Sequence, residues 1–196
     1  MATNAVTICS NALLELGANP ISSLSEQTAH ARLCANLYPT LRDDVLRSHY
    51  WKCATKRVIL SPMVAAPAFG WGYQFALPGD WLRTKQVGDD GCPDEYEQEG
   101  MTLLMRSQAC KLIYIFRNED EGSYTRNLVR LMECEMAARI AYAVTKSASM
   151  RDSKIAEAQM MAKTARAVDG MDNPPEQFQS GSFVEARFAS AGVWHA

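Results

Sequence analysis

Phe69-Gly70-Trp71-Gly72-Tyr73-Gln74-Phe75-Ala76-Leu77-Pro78-Gly79-Asp80-Trp81-Leu82-Arg83 is the stretch on which the fold turns. The sequence on either side of its neighbourhood follows a helical period, and a helical bundle has no use for such a run. Alternate side chains of a strand share a face, so Trp71, Tyr73 and Phe75 point the same way. Pro78-Gly79-Asp80 then sets a turn. The run predicts a β-rich insertion between two helical halves.

Around it, from about Thr55 to Phe116, the helical period is absent. Short strands are expected at Lys56–Leu60, Tyr73–Leu77 and Trp81–Val87, with a turn at Gly88–Pro93. Glu95–Glu97 and Thr102–Arg106 follow as a hairpin around Glu99-Gly100, and Lys111–Phe116 is the strongest strand signal of all. Strands joined this locally imply a small antiparallel sheet or sandwich.

Upstream, Thr3 or Asn4 caps a first helix that runs to about Leu16, where Gly17 ends it. A second helix is expected from Ser25-Glu26 to about Ser48, with Leu33, Leu37, Leu41 and Val45 on one stripe. Pro39 lies inside that stripe and predicts a kink, because the apolar phase continues across it. Asp43 and Arg47 make an i, i+4 pair. Downstream, Ser123 caps a third helix whose stripe includes Leu128, Leu131, Met132, Met136, Ile140 and Val144. A fourth runs from about Asp152 to Val168, where Asp169-Gly170 stops it. The expected class is mainly α with a β insertion. A four-helix bundle at 1–54 and 117–170 is interrupted by a small antiparallel β domain at 55–116, and an extended C-terminal arm occupies 171–196. In the arm, Phe178, Phe183, Phe188 and Trp194 share no helix or strand period. Such aromatics are disfavoured in disordered chain, so the arm reads as a partner-binding segment.

The 196 residues carry a formal net charge of -2, so no global positive field exists to hold nucleic acid by its phosphates. The first residues lack a signal peptide's basic and apolar regions, and no apolar stretch approaches the ~20 residues that span a bilayer. A cytosolic product with reduced cysteines is the expectation. The six cysteines form no CxxC pair.

His30 with Cys34 and His49 with Cys53 are each spaced i, i+4, as a helical zinc site would require. The plainer reading is two helix-surface histidines and two packed cysteines, and no metal or other cofactor is expected. The acidic loop Asp89–Glu95 lacks the ligand spacing of a calcium loop, and Gly70-Trp71-Gly72 has no lysine at phosphate-loop spacing. No nucleophile elbow or zinc-protease motif accompanies His30, His49 and His195. The expectation is therefore no catalytic residue, with a small Cys/His hydrolase and an unrelated helical binding module as the rival readings.

Three segments, in order and spacing, resemble the tail tubular protein A family, the head–tail adaptors of short-tailed phages. They are Asn11-Ala12-Leu13-Leu14-Glu15-Leu16-Gly17-Ala18-Asn19-Pro20-Ile21-Ser22-Ser23-Leu24, then Tyr38-Pro39-Thr40-Leu41-Arg42-Asp43-Asp44-Val45-Leu46-Arg47-Ser48-His49-Tyr50-Trp51, then Phe69–Arg83. The resemblance covers roughly residues 4–170. It implies a structural virion protein, assembled in the host cytoplasm as a ring of twelve copies. Such a ring joins the portal protein to the tail nozzle protein, and DNA passes its lumen without sequence-specific binding. It also implies a C-terminal segment that reaches along the portal, which would make Phe178, Phe183, Phe188 and Trp194 portal contacts.

Overall fold

Two helices, a run of short strands and two further helices follow one another along residues 3–89 and 92–172, the residues that the computed structural model describes. The helices are α1 (Ala5–Glu15), α2 (Ala29–Arg47), α3 (Arg126–Thr145) and α4 (Ala148–Met171). The strands are β1 (Thr55–Leu60), β2 (Tyr73–Ala76), β3 (Trp81–Asp89), β4 (Cys92–Pro93), β5 (Tyr96–Glu99), β6 (Thr102–Met105) and β7 (Cys110–Phe116). They form two small antiparallel sheets, so the fold mixes α and β. One sheet has the order β1-β7-β3 with the short β4 at its edge, and the other β2-β6-β5.

Helix ends follow side-chain chemistry closely. Asn4 caps α1, its Oδ1 accepting from Thr7 N at 2.8 Å. Gly17, at φ +72°, closes the helix: Ala18 N reaches Leu13 O and Gly17 N reaches Leu14 O, both at 3.0 Å. Four expected ends move. Glu26 does not open α2, because its carboxylate accepts from Ser22 N at 2.7 Å and Ser23 N at 3.2 Å and holds a turn. Thr28 is the cap instead, accepting from Ala31 N. Ser123 does not cap α3, because its hydroxyl is bonded to Asp120 O and Asn118 Nδ2, and Thr125 takes the role. The fourth helix begins at Ala148, capped by Ser147 after Lys146 turns the chain at φ 57°. It also runs through Asp169-Gly170 to Met171. Buried Asp169 lies 3.3 Å from His49 Nε2 there, and the helix continues through Gly170 despite glycine's helix cost of about 1 kcal/mol.

The helix α2 runs unbroken across Pro39. Its buried line is Ala31, Cys34, Tyr38, Leu41, Arg42 and Val45, with Leu33 and Leu37 only flanking it. Asp43 turns away from Arg47 and pairs with Arg42 at 2.9 Å and Arg117 at 2.8 Å. The stripe expected on α3 is too narrow. Buried side chains from Leu128 to Ala141 cover most of its circumference, because α1, α2 and α4 all pack on it. Ile8, Leu13, Leu41, Leu46 and Trp51 meet it in the main core, where the Trp51 indole donates to Val45 O at 2.9 Å.

The sheet β1-β7-β3 serves two cores, one on each face. Leu82 and Ile115 pack into the helical core. Val87, Leu112 and Tyr114 face the other way, against Phe75, Leu103 and Met105 of the second sheet. Register shifts in β3 between Trp81 and Arg83, and again between Thr84 and Gln86, twist it across both. The expected turn at Pro78 is present, with Trp81 N donating to Pro78 O at 3.0 Å. Residues 88 and 89, expected in a turn, instead complete β3 opposite Pro93 and Cys92. Trp71 lies outside β2 and does not share the core of Tyr73 and Phe75, because Gly70 and Gly72 turn the chain before the strand begins.

Asp80 locks this turn to the sheet. Its carboxylate accepts from Lys56 Nζ and from the Tyr114 hydroxyl, both at 2.9 Å. Burial raises its pKa, but those two bonds outweigh burial and hold the group below its ordinary 3.8. A lowered folded-state pKa stabilises above the unfolded value and ceases to do so as pH falls through the folded one. Asp80→Ala should therefore cost roughly 1–2 kcal/mol at pH 7, after allowing for solvent screening of the exposed Lys56 pair. In urea titrations that difference should shrink below pH 3.8; a cost independent of pH would contradict this role.

Candidate interaction surfaces

Among the described residues, the His30/Cys34 and His49/Cys53 pairs do not come together as ligand groups. Cys34 is fully buried on α2 against Cys9 of α1. The Cys9 thiol is pushed up first by that sulfur contact and then by burial. His30 stays half-buried on α2 without joining a ligand group, and His49 Nε2 lies 3.3 Å from Asp169 Oδ2, not on Cys53. The Cys53 thiol rises to about 11, through burial first and the Asp169 carboxylate second. Its neutral form is favoured, the reverse of an activated nucleophile.

One triplet among the described residues has metal-ligand types close together: Glu15, Cys134 and Glu157, with ligand atoms within 4.8 Å of one another. Two cations already occupy the charge. Lys154 Nζ bonds Glu15 at 2.9 Å and Glu157 at 2.8 Å, while Arg130 pairs with Glu15, with Glu157 at 3.2 Å and with Glu133 at 3.4 Å. Asn11 Nδ2 donates to Glu133 as well. The Cys134 thiol is pushed up to about 11, chiefly by burial. This is an ion-pair network that ties α1 and α4 to α3. Arg139 is likewise engaged, pairing with Asp44 of α2 at 2.6 Å. Much of the charge along α3 therefore holds the helices to one another.

The outer surface of the β2-β6-β5 sheet is different. Residues 58–79 contain no charged side chain. Part of that run, 61–72, folds back over the sheet: Met63 N donates to Gln74 O at 2.8 Å, and Gln74 Nε2 donates to Ala65 O at 2.7 Å. At its tip Gly70, at φ +81°, makes a γ-turn closed by Trp71 N to Phe69 O at 3.0 Å. Only glycine takes that φ without strain. The turn leaves Phe69 87% exposed, and Val64 is fully exposed. The Trp71 indole donates to Glu97 at 2.9 Å, with the Arg106 guanidinium 5.6 Å from its ring.

Between this loop and β5 lies a groove of about 460 Å³. Its floor is Leu104, one wall runs from Ala66 to Trp71, and Glu97 and Glu99 form the other. Register explains the arrangement. Leu104 pairs with Glu97 and Thr102 with Glu99 on the outer face, whereas Leu103 and Met105 point into the core.

The β1-β7-β3 sheet also has an open outer area. Arg57 and Ile59 alternate with the inward Val58 and Leu60, and Ile59 pairs with Lys111 while Arg57 pairs with Ile113. Ile59 is 73% exposed. With Asp89, which Lys111 bonds at 2.6 Å, these residues line a depression of about 270 Å³.

The aromatics singled out in the arm, Phe178, Phe183, Phe188 and Trp194, lie outside the described residues, as does His195. The uncharged run 58–79 is legible in the sequence, but the partition of its side chains between core and solvent is not. No helix among the described residues is long and apolar enough to cross a membrane. The chain matches no protein-family model and no curated protein.

Two outcomes follow for these groups. With its thiol raised to about 11, Cys53 should react with iodoacetamide at pH 7.5 about ten-fold more slowly in the native protein than after unfolding, the smaller thiolate fraction being partly offset by the greater nucleophilicity of a more basic thiolate; mass spectrometry of the labelled peptide reads this, and equal rates would contradict it. Lys154→Met should lower stability by about 1–3 kcal/mol, because Glu15 and Glu157 lose a shared cation. An unchanged urea midpoint would mean that the network contributes nothing to helix packing.

Proposed function

We propose that this chain is a structural virion protein, a head–tail adaptor whose copies form a ring of twelve between portal and tail nozzle. In this reading the four helices act as one bundle, at 1–54 and 117–170, and residues 55–116 form its β insertion. The arm from 171 reaches the portal through Phe178, Phe183, Phe188 and Trp194. DNA passes through the lumen without sequence-specific binding, and a chain of net charge -2 suits a passage that must not trap phosphates.

The observation that carries the reading is the exposed, uncharged surface around Val64 and Phe69, held in shape by the γ-turn at Gly70. A rigid apolar projection of this kind suits a partner surface. The order of elements, two helices, a β unit and two helices, agrees with the organisation that the resemblance implies. A Cys/His hydrolase is the weaker reading, because the Cys53 thiol is raised and His49 is committed to Asp169.

Co-expression with the portal protein of the same genome tests the proposal. Full-length protein should co-purify with portal rings and appear in negative-stain images as an added twelve-fold layer. Removal of the four arm aromatics by Phe178→Ala, Phe183→Ala, Phe188→Ala and Trp194→Ala should weaken capture about ten-fold or more. A protein that never joins portal rings, yet binds another partner stoichiometrically, would sink the reading.

A further inference from the structure

The groove between the loop 61–72 and β5 joins an apolar lining to uncompensated negative charge. Its loop wall belongs to the run 58–79, which holds no charged residue, so Glu97 and Glu99 are the charged side chains that line it. The two carboxylates alternate along β5 on the outer face, beside Leu104. Glu97 accepts from the Trp71 indole, a neutral donor, and the Glu99 carboxylate has no partner among the described residues. Arg106 pairs with Glu95 at 3.6 Å and lies 5.6 Å from the Trp71 ring, and it does not line the groove. Two negative charges therefore stand at an apolar floor without a cation.

We propose that the groove recognises a short protein segment in which an arginine or lysine adjoins apolar residues. Its apolar side chains settle on Leu104 and against Phe69, and its cationic head meets Glu97 and Glu99. The acidic wall repels anionic lipid headgroups and nucleic-acid phosphates. A free metal ion or small amine satisfies the carboxylates but leaves Leu104 and Phe69 without contact. A basic residue within a peptide does both, because its methylene stem packs on apolar surface while its head bonds carboxylates. The groove of about 460 Å³ also falls within the roughly 300–1,000 Å³ of pockets that hold drug-sized ligands. The γ-turn at Gly70 and the loop's bonds to Gln74 shape one wall before any ligand arrives, which lowers the ordering cost of binding. The site concerns the groove's own chemistry and does not rest on the ring of twelve.

Peptide titration of the full chain, followed by amide and indole NMR shifts, tests it. The probe is acetyl-Leu-Pro-Arg-Leu-amide, and its counterpart carries citrulline, which keeps the shape of arginine without the charge. Acetyl-arginine-amide supplies the cation alone. The arginine peptide should shift Leu104, Glu97, Glu99 and the Trp71 indole, and bind at least about ten-fold more tightly than either control. A variant with Glu97→Gln and Glu99→Gln, in which position 97 keeps an oxygen for Trp71, should bind both tetrapeptides alike. Its unchanged shifts away from the groove establish that it is folded.

An arginine peptide that moves no groove signal at about 5 mM, well above a millimolar Kd, would overturn the inference. So would equal binding of the citrulline peptide or of acetyl-arginine-amide, or a charge preference that survives in the glutamine variant. Groove shifts that grow with protein concentration alone would make a second copy the occupant. Co-sedimentation with phosphatidylcholine vesicles that Phe69→Ser abolishes would assign the face to lipid. Either result would overturn the peptide site as well.

Discussion

The pairing of β3 with β7 is the constraint on which the rest of the molecule depends. Strand side chains alternate between faces, so one central ladder can serve two cores at once. Ile115 belongs to the helical core while Leu112 and Tyr114 belong to the core between the sheets. A register slip of one residue would exchange these sets and expose both cores together. The bond from Arg117 N to Asp80 O, with the Asp80 bonds to Lys56 and Tyr114, fixes that register at the end nearest the helices.

Polar ties extend the same coupling. Asp43 joins α2 to Arg117 just beyond β7, and Asn118 bonds the Cys53 carbonyl just before β1. On the far side of α3, Lys154 and Arg130 bind α4 to α1 through Glu15. Partly buried pairs of this type add modest net stability, but they are costly to break singly and so fix how the helices meet. Arg130, Glu133 and Arg139 of α3 are thereby engaged between helices. In the β unit, the loop 61–72 of the uncharged run is pinned to β2 while Val64 and Phe69 stay exposed.

The sequence made the alternation of helices and strands legible because hydrophobic period and turn residues are local signals. Pro78-Gly79-Asp80, Gly17 and the Lys111–Phe116 strand needed no tertiary information. Helix starts were harder, since several serines compete for the cap: Ser25 and Ser123 have the right chemistry, but Glu26 and Asn118 engage the surrounding turns. The end of α4 lies beyond Asp169-Gly170, which local signals read as a stop, and the circumference of α3 depends on the number of helices packed against it. Of the interaction surfaces, the absence of charge from 58 to 79 could be read directly. The placement of Glu97, Glu99 and Leu104 on one face of the second sheet could not, because it requires the strand order and register.

Hydrogen exchange followed residue by residue tests most directly whether one ladder holds both halves together. If it does, the amides of Leu112, Ile113, Tyr114 and Ile115 exchange as slowly as those in the centre of α3, and only through global unfolding. Exchange of the β7 amides through a lower-energy opening, with α3 still protected, would contradict the account. The helices and the sheets would then be separate cooperative units joined by chain alone.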